Sequence, residues 1–91
     1  MVETTVITFS LNNPFKEWAN IFDSGESEAM HQEFGITPLY RGFDPSNPIN
    51  VIVIHQAEKG QVDKFVEKYG HKFLEHGLKP ETIKTSTWLS A

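Results

Sequence analysis

Apolar and polar positions alternate from Val2 to Leu11, the two-residue period of a half-buried strand. Thr5, Ile7, Phe9 and Leu11 fall on one face; Val6, Thr8 and Ser10 fall on the other. Asn12-Asn13-Pro14 ends the run. Asn13 suits the cap of a following helix and Pro14 its first turn. Phe15, Trp18, Ala19 and Phe22 then recur at helical spacing, a core-facing stripe. Asp23-Ser24-Gly25 interrupts it. Ser27 can cap a second short segment, with Met30 and Phe34 on its apolar side and Gly35 closing it. One bent helix is the alternative.

Ile36 to Phe43 reads as a second strand. Pro38 cannot donate to a ladder, which puts this strand at a sheet edge. Asp44-Pro45-Ser46-Asn47-Pro48 is a turn, and Ile49 to Gln56 a third strand. Its centre, Val51-Ile52-Val53-Ile54, is apolar on both faces. After Gly60 a second helix buries Val62, Phe65, Val66, Tyr69 and Phe73. It turns Asp63, Lys64, Glu67, Lys68, Lys72 and Glu75 outward, and Gly70 inside it is a candidate close packing point. Gly77 and Pro80 stop the helix, and Thr82 to Leu89 forms the last strand.

Strand, helix, strand, strand, helix, strand is the split β-α-β order. It predicts an α+β, ferredoxin-like sandwich in which two helices cover one face of a four-stranded antiparallel sheet. Residues 1–91 form one domain. The third strand is apolar on both sides, so one face meets the helices and the other must meet something else. A homodimer packed sheet to sheet is the preferred solution; a monomer with an exposed apolar face is the other.

Composition narrows the function classes. With 38% hydrophobic and 22% charged residues, the chain is that of an ordinary soluble domain. No apolar run is long enough for a membrane span. Met1 to Thr5 lacks the basic-then-apolar pattern of a secretory leader. There is no cysteine, which excludes disulfides and thiolate chemistry and suits a cytoplasmic location. A net charge of -4 argues against nucleic acid as a partner. Acids cluster from Glu17 to Glu33 and lysines from Lys59 to Lys84. These read as solvated helix faces or as complementary patches on two subunits.

Candidate chemistry is sparse. Of the four histidines, no two stand four apart on a helix, so no metal site is expected. His71 and His76 read as solvated helix surface. No glycine-rich phosphate loop and no serine-triad spacing is present, so no cofactor is implied. His55 ends the doubly apolar strand and shares a face with Val51 and Val53. It is the best candidate for a base or ligand-binding group. Tyr40 and Arg41 point to opposite faces of the neighbouring strand, and a one-residue register shift decides which joins His55. Arg41 can bind a carboxylate or pair with an acid across an interface. Trp18 suits the core; Trp88 suits an interface or a pocket wall.

The element order resembles the dimeric α/β-barrel superfamily. More narrowly, Phe9-Ser10-Leu11, Asn13-Pro14-Phe15-x-x-Trp18, Ile36-Thr37-x-x-Tyr40-Arg41-Gly42 and Thr87-Trp88-Leu89 resemble a small cyanobacterial family of no established activity. The superfamily resemblance implies a pocket between helices and sheet in each subunit. Two functions follow. The first is a cytoplasmic homodimeric binding or regulatory protein without catalysis. The second is a cofactor-independent monooxygenase- or isomerase-like enzyme acting on a small apolar or aromatic molecule. His55, Tyr40, Arg41, Trp88 and Trp18 are the site candidates for that molecule.

Overall fold

The first strand of the sequence pattern is β1, Val2–Leu11, and it lies inside the sheet. The structure, a computed structural model, describes residues 1–90. The elements that follow are α1 (Phe15–Phe22), α2 (Gly25–Glu33), β2 (Thr37–Asp44), β3 (Asn47–Glu58), α3 (Gln61–Glu75) and β4 (Leu78–Leu89). The sheet order is β2-β3-β1-β4, and every neighbouring pair is antiparallel. This is the ferredoxin-like α+β arrangement, with β2 at an edge as Pro38 requires.

The helices lie on one face. Phe9 and Leu11 of β1 and Val51 and Val53 of β3 pack against Trp18 and Ala19 of α1, together with Leu78. Met30 of α2 joins Ile36, Ala57, Val62 and Phe65 in an adjoining cluster. The Phe9 and Trp18 rings meet edge to face at 5.4 Å, a geometry aromatic quadrupoles favour.

The interrupted form of the first helical region is the one adopted, so three helices rather than two cover the sheet. Their caps differ from the expected ones. Pro14, not Asn13, takes the cap position of α1 and makes no side-chain cap bond; the Glu17 amide instead donates to the Pro14 carbonyl at 3.1 Å. In α2 the cap is Ser24, whose Oγ accepts from the Ser27 amide. Ser27 itself is buried.

Both outer pairings carry irregularities. Leu39 is an extra residue between the Pro38–His55 and Tyr40–Ile54 pairs, a bulge beside a residue that lacks an amide hydrogen. β4 starts earlier than Thr82. Its pairing with β1 jumps from Lys79–Ser10 to Lys84–Thr8, so Pro80 to Ile83 form a wide bulge. Thr82 seals the gap: its hydroxyl accepts from the Ser10 amide at 2.8 Å and donates to the Lys79 carbonyl at 2.6 Å.

Charge patterning resolves within the chain. Lys72 pairs with Glu26 at 2.9 Å, and Lys68 pairs with Glu33, which also accepts from the Tyr69 hydroxyl. The acidic segment and the lysine-rich helix thus meet each other through Glu26 and Glu33 within one chain. Each lysine's hydrogen bond holds its glutamate below the usual carboxylate range.

Two glycines of the α3 region behave oppositely. Gly77 has φ +93, and a Cβ there would lie 2.8 Å from Asn13 Nδ2. Gly70 is not a packing point, since a Cβ would meet only Val66 Cγ1 at 3.9 Å. Gly77→Ala is therefore expected to lower unfolding free energy by more than about 1 kcal/mol, and Gly70→Ala to raise it by up to about 1 kcal/mol. Urea denaturation of both variants checks the opposite signs.

Candidate functional site

β3 turns Val51, Val53, His55 and Ala57 toward the helices, and all four are buried. His55 stands between Thr5 of β1 and Pro38 of β2 in the register and is 4% exposed. Neither of its ring nitrogens has a hydrogen-bond partner, and the buried Thr5 hydroxyl also has none. Leaving such a group unpaired costs about 1–3 kcal/mol.

His31 of α2 stands edge-on over His55, with ring centroids 4.9 Å apart and planes at 78°. Ser27, Met30 and His31 are the buried residues of α2, on the stripe that i, i+3, i+4 spacing creates. The His31 Nδ1–H donates to the Ser27 carbonyl at 2.6 Å. That bond fixes the tautomer and leaves Nε2 as the acceptor of the neutral ring. Phe65 flanks both imidazoles, at 4.9 Å from His31 and 6.2 Å from His55. Phe22 stacks on His55 at 6.2 Å, the planes 10° apart.

Beside these rings lies a cavity of about 140 Å³. Its walls are Ile7, Phe9, Trp18, Ile21, Phe22, Met30, Val53, Phe65, Phe73 and Leu78, with Ser27, His31, His55, His76 and Thr85 as the polar contributors. Val66 and Ile83 line it too, yet are 45% and 41% exposed, so the mouth lies between α3 and β4. Ile83 belongs to the β4 bulge, which therefore shapes the opening.

Burial pushes the His55 pKa down to about 4, with repulsion from His31 adding to it. Burial also lowers His31, against the opposing pull of the Ser27 carbonyl. Both rings are neutral at pH 7. Among the described residues, no three histidine, aspartate or glutamate side chains stand together to hold a metal ion.

The five candidates from the sequence separate. His55 and Trp18 line the cavity; Tyr40, Arg41 and Trp88 do not. Arg41 pairs with Val53 in the register and so shares the face of His55. Its guanidinium is engaged by Asp23 of the same chain, with Nε at 3.0 Å from the carboxylate, and it lies over the Phe15 ring. The acid it pairs with is thus not across an interface. Tyr40 pairs with Ile54 and Trp88 with Thr4, on the sheet face away from the helices. The hairpin decides between Tyr40 and Arg41: the pairs run unbroken from Phe43–Val51 to Tyr40–Ile54, and the Leu39 bulge lies beyond them. His31 and His76 are the residues that sequence reasoning missed. The Ser27-x-x-Met30-His31 stripe signals the first, and His76, read as solvated surface, is half-buried at the end of α3.

The histidine environment has a measurable consequence. Folded His55 titrates near 4, whereas an unfolded histidine titrates near 6.5. Between those values the unfolded chain takes up the proton, so stability is full above about pH 6.5 and falls as pH drops toward 4. The loss from this group is roughly 3 kcal/mol, at about 1.4 kcal/mol per tenfold change in proton affinity. His55→Leu should remove most of that slope and leave stability at pH 7.5 equal or higher. Urea midpoints from pH 4 to 8 measure both.

Solved structures share the architecture. SnoaB, a cofactor-independent oxygenase from Streptomyces nogalater, superimposes with a TM-score of 0.68 at 12% identity, over 98% of this chain and 92% of that one. A NIPSNAP family protein from Agrobacterium tumefaciens gives 0.68 at 10% identity, over 100% and 94%. A conserved protein from Methanosarcina mazei gives 0.63 at 12% identity, over 100% and 94%. At these identities the likeness is one of fold. No curated protein matches the sequence. Residues 2–90 match the family described as domain of unknown function (DUF3764), and with nearly its whole length inside that match the chain belongs to this family.

Proposed function

We propose that this protein is a homodimeric, cytoplasmic small-molecule-binding protein whose ligand occupies the cavity between helices and sheet. The observation that carries the reading is the buried His55 ring, unpaired at both nitrogens, on the wall of an apolar cavity. An aliphatic side chain would fill that position at lower cost. The volume of about 140 Å³ is close to that of an engineered apolar cavity, about 150 Å³, that stays dry and takes benzene.

Binding without catalysis is favoured over an oxygenase-like reaction. SnoaB supports the second reading by fold alone. A general base works best with a pKa near the working pH, and His55, near 4, is a weak one. The cysteine-free composition suits the reducing cytoplasm, and no helix among the described residues is long and apolar enough to cross a membrane.

The face away from the helices supports the pairing. Tyr40, Ile54 and Val6 lie side by side across three strands, flanked by Ile52 and Trp88. Tyr40 is 57% and Trp88 65% exposed. Aromatic and aliphatic groups gathered on an open sheet face fit a self-complementary interface. Light scattering after size exclusion should give twice the 10.4 kDa chain mass, and Ile54→Asp should halve it without loss of secondary structure. A monomer at tens of micromolar removes the dimer from the reading.

Ligand binding is tested separately. Benzene titrated into the ¹⁵N-labelled protein should shift amide signals of the cavity walls and raise Tm. Ile83→Trp, at the mouth, should weaken this at least tenfold in a folded protein. A localised shift with neither benzene nor phenol overturns the cavity reading.

A further inference from the structure

The cavity's polar groups restrict what it can hold beyond size. The neutral His55 ring offers one N–H donor and one bare acceptor nitrogen, and both are buried and unmet. No lysine or arginine lines the cavity. A carboxylate or phosphate entering it would lose its hydration with no lysine or arginine to replace it, a heavy penalty. A cation would find the imidazoles of His31, His55 and His76 but no carboxylate to balance its charge, since no aspartate or glutamate lines the walls. A purely apolar ring would fill the space and leave His55 unsatisfied. A hydroxyl both donates and accepts, so it matches either unmet nitrogen of the His55 ring.

Resting on the binding reading above, we propose that the cavity selects an uncharged, single-ring molecule bearing one hydroxyl, and that His55 is the specificity-determining residue that reads this hydroxyl. His31 serves as a positioning wall. Its Nδ1 is committed to the Ser27 carbonyl, and its edge-on ring closes the space above His55. The volume of about 140 Å³ is close to that of a cavity that takes a single benzene ring, which makes one ring the size that fits.

Phenol, benzene and benzoate, titrated at pH 7.5 and followed by ¹⁵N–¹H NMR, test this with the whole protein. Phenol carries its proton at that pH, as the tyrosine hydroxyl does. Phenol should bind about tenfold more tightly than benzene, the worth of one net hydrogen bond, and benzoate should give no shift at concentrations that saturate phenol. His55→Leu should bring phenol down to the affinity of benzene. His55→Gln, which keeps a donor and an acceptor, should retain part of the preference. Equal affinity of benzene and phenol in the native protein overturns the proposal while leaving the cavity reading intact. So does a preference that survives in His55→Leu, or benzoate binding as tightly as phenol. Failure of all three to bind overturns both. The native ranking and the glutamine variant carry the test even if the leucine variant does not fold.

Discussion

The unbroken antiparallel pairing of β1 with β3, from Val2–Glu58 to Ser10–Asn50, sets the facing of every residue at the centre of the sheet. A slip of one position would turn either Phe9 and Leu11 or Val51, Val53 and His55 away from the helices, depending on which strand moved. The apolar side chains on both strands make that slip costly, because each buried aliphatic group is worth roughly 1.5–3 kcal/mol. The outer strands depart from ideal pairing, and each departure has a structural effect. The irregularity at the β2–β3 hairpin, between the Phe43–Val51 and Asp44–Asn47 pairs, sets the register that puts Arg41 on the helix face and Tyr40 on the open face. The wide β4 bulge puts Ile83 at the mouth of the cavity. A regular centre with irregular edges confines variation to the rim.

The helix layer is held unevenly. α1 and α3 contribute large buried side chains such as Trp18 and Phe65. α2 buries only Ser27, Met30 and His31. Its polar ties to α3 are the Tyr69–Glu33 hydrogen bond and the Lys72–Glu26 and Lys68–Glu33 pairs, whose partners are 33% to 69% exposed. Exposed pairs of this kind contribute about 0–1 kcal/mol each and weaken with salt. The cavity wall that carries His31 is therefore held in part by ties that salt weakens.

Much of this architecture is legible in the chain. The bounds of β1, the edge position of β2 and the doubly apolar centre of β3 follow from alternation, from Pro38 and from Val51 to Ile54. The legible features are local periodicities and single-residue constraints. What escapes is set by pairing between distant segments. Nothing near Leu39 signals a bulge except the proline before it. Nothing near Pro80 shows that Leu78 and Lys79 already pair with β1, because the Thr82 hydroxyl that seals the gap does so on a strand more than seventy residues earlier. For the candidate site, His55 and Trp18 are visible from their places in apolar runs. His31 hides because its helix is polar overall, and its burial shows only when Ser27 and Met30 are counted on the same stripe. The acidic and basic segments are visible as segments, but that they meet within one chain depends on how α2 and α3 pack.

β3 joins the two features on which the proposed function rests. Ile52 and Ile54 face one way and Val51, Val53 and His55 the other, because successive side chains of a strand alternate. A single extended segment thus lines the cavity with one set of residues and supplies the open apolar face with the next. Such a strand leaves little room for compromise. A polar residue at 52 or 54 would suit a lone subunit, and an apolar residue at 55 would suit a sealed core; neither is present. Each departure costs stability on its own. Each is offset only by a contact the single chain does not make: apolar cover over Ile52 and Ile54, and a polar atom within hydrogen-bond reach of His55.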